Sequence, residues 1–141
     1  MKHYTKISAN DKESIHFISS LLQDSITCKL WIIYNKQQIK LLINRVCWEE
    51  KNHKSEHNRL LSIITIDNVK NAKITRMSSK IEFFTIQSIH CEKNNQIRIK
   101  FTNGTLLIKV LSFNIHLKDI TNQWCSYHKF NENIKINNKY L

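Results

Sequence analysis

Apolar and polar residues alternate through most of the chain after residue 25, and this pattern limits the fold to one built mainly of strands. Alternation over Ile26–Tyr34 is followed by a turn at residues 35–37 and by a second alternating run that starts at Ile39. Two such runs joined by a short turn predict a β-hairpin. Leu42 and Val46 make the second run apolar on both faces, which predicts that it lies inside a sheet rather than at its edge.

Further segments carry the same strand pattern. They span residues 4–8, 60–66, 69–75, 81–91, 96–102 and 106–110. Asn103-Gly104 joins the last two and predicts a type I′ turn, because both central residues of that turn need positive φ. No helical segment separates consecutive strands from 26 to 110, so a parallel sheet, which needs crossover connections, is not expected.

Helical spacing of apolar residues occurs at the two ends of the strand region. Residues 11–23 predict a helix, with Asn10 as its N-cap and Glu13 at the third position of a capping box. Apolar residues between Phe113 and Trp124 recur at helical intervals and predict a short C-terminal helix. The predicted fold is therefore α+β and mainly antiparallel β. It has about seven strands in a bent sheet or open barrel, as in pleckstrin-homology-like domains, with the C-terminal helix closing one end.

The length and polarity of the chain predict one domain with a tail. Residues 1–125 are expected to form a single domain, and the Asn- and Lys-rich residues 126–141 a flexible polar tail. The start of the chain lacks the apolar core of a signal peptide, and the longest apolar run covers only residues 30–34, so we expect a cytoplasmic protein without a membrane span. Four reduced thiols are then expected, at Cys28, Cys47, Cys91 and Cys125.

The formal net charge of +11 has two explanations. A basic surface attracts nucleic acid. Lysines outnumber arginines by 18 to 4, however, and they are spread along the chain, whereas arginine is preferred for bidentate phosphate contacts. The 22 Ile, 18 Lys and 16 Asn residues all have A/T-rich codons, so genome composition explains the charge without a nucleic-acid ligand.

Motifs for catalysis or metal binding are weak. The segment His53–His57 matches the H-x-x-E-H pattern of inverted zinc peptidases, but it lies in a charged stretch without an apolar face to dock a helix. No cysteine pair has C-x₂-C spacing, and only Cys125 and His128 have C-x₂-H spacing. The chain has one glycine, which excludes glycine-rich phosphate loops. We therefore predict no metal, no cofactor and no enzymatic activity.

Polar residues that follow directly on the buried strand form the candidate site. On alternation, Asn44 and Trp48 lie on one side with Val46, and Arg45 and Glu49 lie on the other. We expect Trp48 to lie in the core and Asn44 to bond to backbone. Gln23 and Asp24, at the end of the first helix, are expected nearby, with an Arg45–Asp24 ion pair joining helix and sheet. The cluster of Gln23, Asp24, Asn44, Arg45, Trp48 and Glu49 has two open interpretations, an interaction surface and a structural network.

Several segments together resemble an alphaproteobacterial family, domain of unknown function 2948. The matching pieces are Leu22-Gln23-Asp24, Asn44-Arg45, Trp48-Glu49, Asp67 with Val69, Phe101 with Gly104, and Leu117, Asp119, Ile120 and Trp124. They extend from Lys6 to about Trp124. The chain differs from the family pattern at Cys47, where an acid is usual, and after Glu49, where an Arg-rich segment is replaced by Lys, His and Glu. The resemblance implies a small bacterial cytoplasmic protein and no particular reaction.

These observations favour a non-enzymatic binding or scaffold module whose partner is another protein. The alternative function is that of an accessory protein that binds nucleic acid through its lysine-rich surface.

Overall fold

In the computed structural model, the described residues are 5–49, 58–77, 82–121 and 124–125. They form one α-helix, one short 3-10 helix and eleven strands. The α-helix, α1, is Lys12–Leu22, and the 3-10 helix is Lys29–Trp31. The strands are β1 (Lys6–Ala9), β2 (Ile26–Cys28), β3 (Ile32–Asn35), β4 (Gln38–Val46), β5 (Asn58–Ile66), β6 (Val69–Thr75), β7 (Phe83–Glu92), β8 (Gln96–Phe101), β9 (Gly104–Val110), β10 (Ile115–Asp119) and β11 (Trp124–Cys125).

All strand pairs are antiparallel, and together they form one open sheet. The order is β1-β10-β5-β4-β2-β7-β8-β9-β6, with β3 beside β4 and β11 beside β5. β2 pairs with β7, and this pairing joins two halves of the sheet. The first half contains β1, β10, β5, β4 and β2, with β3, and the second half contains β7, β8, β9 and β6. The prediction of a mainly antiparallel protein with β4 inside the sheet is confirmed.

The core lies between the inner faces of the two halves and the helix. Four side chains of α1 are buried there, Ile15, Ile18, Leu21 and Leu22. Cross-strand rows of the first half supply Ile39, Ile66 and Ile115, and then Leu41, Ile64 and Leu117. Each of these side chains stabilises the fold by roughly 1.5–3 kcal/mol when it is fully removed from water.

The helix begins one residue later than the sequence predicts. Asp11, not Asn10, is the N-cap, and its carboxylate accepts a hydrogen bond of 2.7 Å from the backbone N–H of Ser14. The backbone N–H of Asp11 donates in return to the Ser14 hydroxyl, at 3.3 Å. An aspartate at this position also brings a negative charge to the positive end of the helix dipole, which Asn10 does not.

The predicted C-terminal helix is wrong. Residues 115–119 form β10, which pairs with β1 on one side and β5 on the other. The segment contains a strand pattern as well as a helical one, since Ile115 and Leu117 alternate with His116 and Lys118. The strand is favoured over the helix because it provides hydrogen-bond partners for the backbone N–H and C=O groups at the edges of both neighbouring strands.

The first predicted hairpin strand is interrupted. Instead of one strand over Ile26–Tyr34, the chain forms β2, the 3-10 turn Lys29–Trp31 and then β3. Together with β10 and β11, this division accounts for most of the difference between about seven predicted strands and the eleven found. The remaining strands differ from prediction by a few residues at their ends, and β6 has the predicted limits.

The last hairpin is present, but its turn is not of type I′. Phe101 pairs with Gly104, so Thr102 and Asn103 are the central residues of the turn, and neither has positive φ. Gly104 is required for space, because a Cβ built on it would lie 2.4 Å from the carbonyl oxygen of Thr75. Positive φ occurs instead at six other residues of the described chain, Asp24, Lys36, Asn68, Arg76, Asn94 and Asn95.

No helix in the described ranges is long and apolar enough to cross a membrane. The predicted polar tail, residues 126–141, lies outside the described residues.

Candidate functional site

The strand β4 carries polar side chains to both faces of the sheet near its C-terminal end. Ile43 is paired with Ser62 of β5, and Ser62 is paired with Asp119 of β10. Directly opposed residues share a face, so Ser62 and Asp119 follow the apolar rows on the inner face. Arg45 points to that inner face and Asn44 to the outer one, as alternation predicts.

Arg45 is completely buried and lies against the carboxylate of Asp119. Its Nε donates to Asp119 Oδ1 at 3.0 Å, and its Nη2 donates to Asp119 Oδ2 at 2.9 Å. Nε also approaches the Ser62 hydroxyl at 3.2 Å, and that hydroxyl donates to Asp119 Oδ1 at 2.5 Å. This is a bidentate arginine–carboxylate pair supported by a third side chain.

Glu49, four residues further along the chain, pairs with the other edge of the guanidinium. Arg45 Nη1 donates to Glu49 Oε1 at 2.8 Å, and Nη2 donates to Glu49 Oε2 at 2.6 Å. Nη1 also donates to the backbone carbonyl of Val46 at 3.2 Å. The five N–H groups of Arg45 are thus all directed at oxygen atoms, and the guanidinium has no donor left for a ligand.

Thr5 completes the buried cluster from the edge of the sheet. Its backbone N–H donates to Asp119 Oδ2 at 2.7 Å, and its hydroxyl donates to Glu49 Oε2 at 2.6 Å. The backbone N–H of Asp119 donates to the Thr5 carbonyl at 2.9 Å. The cluster therefore joins the residue before β1 to β4, β5 and β10. We call Thr5, Arg45, Glu49, Ser62 and Asp119 the arginine cluster.

The charges of the arginine cluster stabilise one another. Burial opposes ionisation of Glu49, but hydrogen bonds from Arg45 and Thr5 outweigh it and lower the pKa of Glu49 to about 2. Burial also opposes the charged form of Arg45, and hydrogen bonds to Glu49 and Asp119 more than compensate, so the pKa of Arg45 is raised. The cation thus shares a site with two carboxylates, of which Asp119 has no side-chain exposure and Glu49 keeps 18%.

The predicted Arg45–Asp24 ion pair is wrong. Arg45 lies on the inner face with Asp119, whereas Asp24 lies near the outer end of β4. The two acids that pair with Arg45 are Glu49, four residues away, and Asp119, 74 residues away in sequence. A guanidinium with saturated donors and no exposed surface is a structural element, so the structural interpretation holds for Arg45.

The other predicted residues meet on the outer side. Trp48 Nε1 donates to the backbone carbonyl of Gln23 at 2.9 Å, which joins the end of β4 to the end of α1. Arg59, which no sequence pattern indicates, donates from Nη1 to the Asn44 carbonyl at 3.2 Å and to Asn44 Oδ1 at 3.4 Å. The same Nη1 lies 3.5 Å from the carbonyl of Asp24. Gln23, Asp24, Asn44, Trp48 and Arg59 form a second network, the outer cluster.

The structure differs from two of the predictions for the outer cluster. Trp48 is 37% exposed, so it covers the end of the sheet instead of lying in the core. Asn44 bonds through its side-chain oxygen to the Arg59 side chain rather than to backbone. Burial lowers the pKa of Arg59, and the nearby Asp24 charge opposes this. The pairing of β4 with β5 identifies Arg59. Val46 is paired with Arg59, and this register puts Arg59 diagonally beside Asn44.

A Ser–His–Asp chain lies on the outer face of the first half. The Ser8 hydroxyl is 2.8 Å from His116 Nδ1, and His116 Nε2 is 3.0 Å from Asp67 Oδ2. Asp67 also accepts from Gln38 at 2.7 Å and from Asn114 at 3.1 Å. Ser8 is solvent-exposed on an edge strand, and Asp67 is tied to two turns, so we interpret the chain as a cross-strand structural network.

Within the described part of the chain, no three metal-ligating side chains come together. His53 and His57 of the H-x-x-E-H segment, and His128, lie outside it. Cys28 and Cys91 are free thiols, and burial raises the pKa of both. A raised pKa keeps these thiols protonated, which is the unreactive form.

The comparisons with known proteins give one match. The family described as protein of unknown function (DUF2948) matches residues 5–131, a range that includes β1, β4, β5 and β10 and thus the whole arginine cluster. Neither the curated proteins nor the solved structures give a match. Because the matched range covers most of the chain, the resemblance seen in the sequence is confirmed, and this protein belongs to the DUF2948 family.

Proposed function

We propose that this protein is a non-enzymatic binding module that docks a protein partner on an exposed apolar patch. The observation that carries the proposal is a group of large apolar side chains around the 3-10 turn, Leu30, Trp31, Ile33 and Phe83. Leu30 is 66% exposed, Ile33 is 59% exposed and Phe83 is 54% exposed. We call these four residues the apolar patch.

Two structural features hold the apolar patch together. Cys28 of β2 is paired with Phe83 of β7, so the 3-10 turn that follows Cys28 lies beside Phe83. The rings of Trp31 and Phe83 then pack edge to face, with centroids 5.4 Å apart. Single exposed apolar residues are common, but adjacent ones supported by an aromatic pair are typical of a protein-docking surface.

The surroundings of the patch favour an extended segment of the partner. Among the described strands, β3 pairs only with β4, and a strand with one paired edge is the kind of element to which an extended partner segment adds. Ile33 lies on β3 itself. Exposed Lys29 and Lys40 lie near the patch and favour acidic residues beside the apolar ones in the partner.

The arginine cluster supports this proposal in a different role. It joins β1, β4, β5 and β10 through buried charges, so it stabilises the first half of the sheet that presents the patch. In this proposal the bent sheet is a scaffold for surface side chains, as in pleckstrin-homology-like domains. We also propose a cytoplasmic location, which the free thiols of Cys28 and Cys91 support.

The experiment compares two substitutions of exposed leucine. Leu30→Asp puts a charge in the apolar patch, and Leu111→Asp puts one at a remote site, where Leu111 is 58% exposed. Tagged variants are used for quantitative capture from nuclease-treated extract of the native cell. We expect a protein that is retained by wild type and by Leu111→Asp to be lost with Leu30→Asp.

Equal capture by all three proteins contradicts the proposal, provided that their melting temperatures agree. Phe83→Asp is the second test of the same surface. If Leu30→Asp and Phe83→Asp lose different proteins, the four residues are not one docking site.

A further inference from the structure

We infer that the outer face of the second half of the sheet binds double-stranded nucleic acid without sequence preference. This surface is separate from the apolar patch and adds an activity to the proposed function. Three consecutive cross-strand rows make it up. They are Glu92, Gln96, Lys109 and Asn71; then His90, Arg98, Leu107 and Lys73; then Ser88, Lys100, Thr105 and Thr75. We call these three rows the basic face.

The register of the strands determines which side these residues occupy. The residues between them along β8 and β9, including Ile97, Ile99, Leu106 and Ile108, are buried in the core. Side chains alternate across a sheet, so the rows point away from the core. Lys73, Lys100 and Lys109 are accordingly exposed.

The charge of the basic face is strongly one-sided. Its only acid, Glu92, is paired with Arg98, and Arg98 Nη2 lies 3.2 Å from Glu92 Oε2. The positive charge of Arg98 and the negative charge of Glu92 cancel each other. With Glu92 paired to Arg98, the rows hold no further acid for the three lysines, so they give the face a net charge of about +3.

The lysines are spaced for a polyanion. Each row contains one of them, first Lys109, then Lys73, then Lys100. Successive rows lie about 6.8 Å apart, since an antiparallel strand rises about 3.4 Å per residue. The lysines lie on β9, β6 and β8, so their charges are spread over three strands and three rows, and a duplex, with about one negative charge per 1.7 Å of its axis, presents phosphates across that area. Hydroxyls of Ser88 and Thr105 flank Lys100 in its row and can donate to phosphate oxygens.

The composition of the face favours a duplex over a single strand. The three rows contain no Phe, Tyr or Trp, and single-strand binding without sequence preference relies on aromatic side chains that stack on bases. A duplex presents stacked bases and about one negative charge per 1.7 Å of its axis. Leu107, the apolar residue at the centre, is half-buried, so the rows offer no large exposed side chain for insertion into a lipid bilayer.

The test measures binding of a short mixed-sequence DNA duplex by fluorescence anisotropy between about 50 and 200 mM salt. For wild type we expect the logarithm of the binding constant to fall linearly with the logarithm of salt concentration. The slope should be about −3, because each neutralised phosphate contributes about −0.9. The triple variant Lys73→Gln, Lys100→Gln, Lys109→Gln should lose at least about tenfold in affinity at low salt and show a flatter slope.

The matched control is Lys6→Gln, Lys36→Gln, Lys118→Gln. These lysines are also exposed and the change in net charge is identical, but they lie on β1, on β10 and in the turn between β3 and β4, away from the basic face. The control should bind like wild type. Equal loss in both triple variants, or no binding by wild type, overturns the inference. Equal affinity for single-stranded DNA, or stronger binding to vesicles that contain phosphatidylserine, overturns the choice of a duplex. These results concern only the basic face, and none of them tests the capture of a protein partner by the apolar patch.

Discussion

Two arginine–carboxylate pairings in this protein use the same chemistry in opposite surroundings. Arg45 has no exposed surface and lies between Asp119 and Glu49, whereas the side chain of Arg98 is 33% exposed and pairs with Glu92 alone. Both arginines are on strands, both contacts are bidentate, and hydrogen bonding to the arginine lowers the pKa of Glu49 and of Glu92.

The difference between them is the access of water. A charge removed from water needs a partner for every hydrogen bond that it loses, and Arg45 has oxygen partners for all five N–H groups. Around Arg98, water replaces any contact that breaks, and salt screens the pair. Similar geometry therefore predicts very different effects on folding.

The largest expected effect is that of Arg45→Ala. Without the guanidinium, buried Asp119 and partly buried Glu49 remain close together with no cation between them. We expect the free energy of unfolding to fall by about 3–5 kcal/mol in denaturant titration. Arg45→Lys keeps the charge with fewer donors and should lie between Arg45→Ala and wild type. A loss below about 1 kcal/mol for Arg45→Ala would show that water reaches the cluster.

The second effect is a dependence of stability on pH. The pKa of Glu49 is about 2 in the folded protein, below its ordinary value of 4.5, so the folded state favours the ionised form. The stability that Glu49 supplies is fully present above about pH 4.5 and is lost as the pH falls from about 4.5 towards 2. Because Glu49 is partly exposed and water screens the pair, its contribution is smaller than the roughly 3 kcal/mol that the full shift corresponds to.

The measurement for Glu49 is urea unfolding at a series of pH values within that range. Wild type should lose stability steadily as the pH falls, and Glu49→Gln should show a flatter profile because position 49 no longer titrates. If Glu49→Gln keeps the wild-type slope, other carboxylates cause the acid sensitivity, and Glu49 is less tightly coupled to Arg45 than its geometry indicates.

A smaller effect is expected on the other face of β4. Trp48→Phe keeps an aromatic ring but removes the N–H that donates to the Gln23 carbonyl. Since that contact is exposed, its loss should cost about 1 kcal/mol in thermal or denaturant unfolding. A loss of about 3 kcal/mol or more would mean that Trp48 packs as a core residue, as its sequence position predicts.

The smallest effect is that of Arg98→Ala. This change leaves Glu92 in contact with water, so we expect only a slight loss of stability in low salt and almost none at high salt. The salt series is measured beside the same series for Arg45→Ala, whose loss should hardly respond. If both losses respond equally to salt, the contrast between buried and exposed pairs fails.

The sequence predicts on which face of the sheet Arg45 lies, but it does not predict that Asp119 is its partner. Alternation along β4 assigns Arg45 and Asn44 to opposite faces because the strand period is local. Asp119 could not be identified as the partner, since residues 113–124 also fit a helical period, and a helix would have turned Asp119 away from the sheet. Only the pairing of β10 between β1 and β5 decides between the two periods, and that pairing joins residues far apart in sequence.

The single glycine shows the same limit. The sequence predicts correctly that a hairpin turn lies near Asn103-Gly104, because the flanking strands alternate. It predicts the wrong reason for the glycine, which is close approach to the Thr75 carbonyl on β6. That contact depends on the neighbour of β9 in the sheet, and β6 lies about 30 positions earlier in the chain.

The six residues with positive φ determine how far this fold can be stabilised by glycine. Glycine adopts positive φ without strain, and Lys36, Arg76, Asn94 and Asn95 occupy such positions in this chain. Asparagine tolerates this conformation, but a residue such as lysine or arginine is strained in it by roughly 1–2 kcal/mol. Glycine also loses more conformational entropy on folding than other residues, so Lys36→Gly and Arg76→Gly should each stabilise the fold by less than the strain that they relieve.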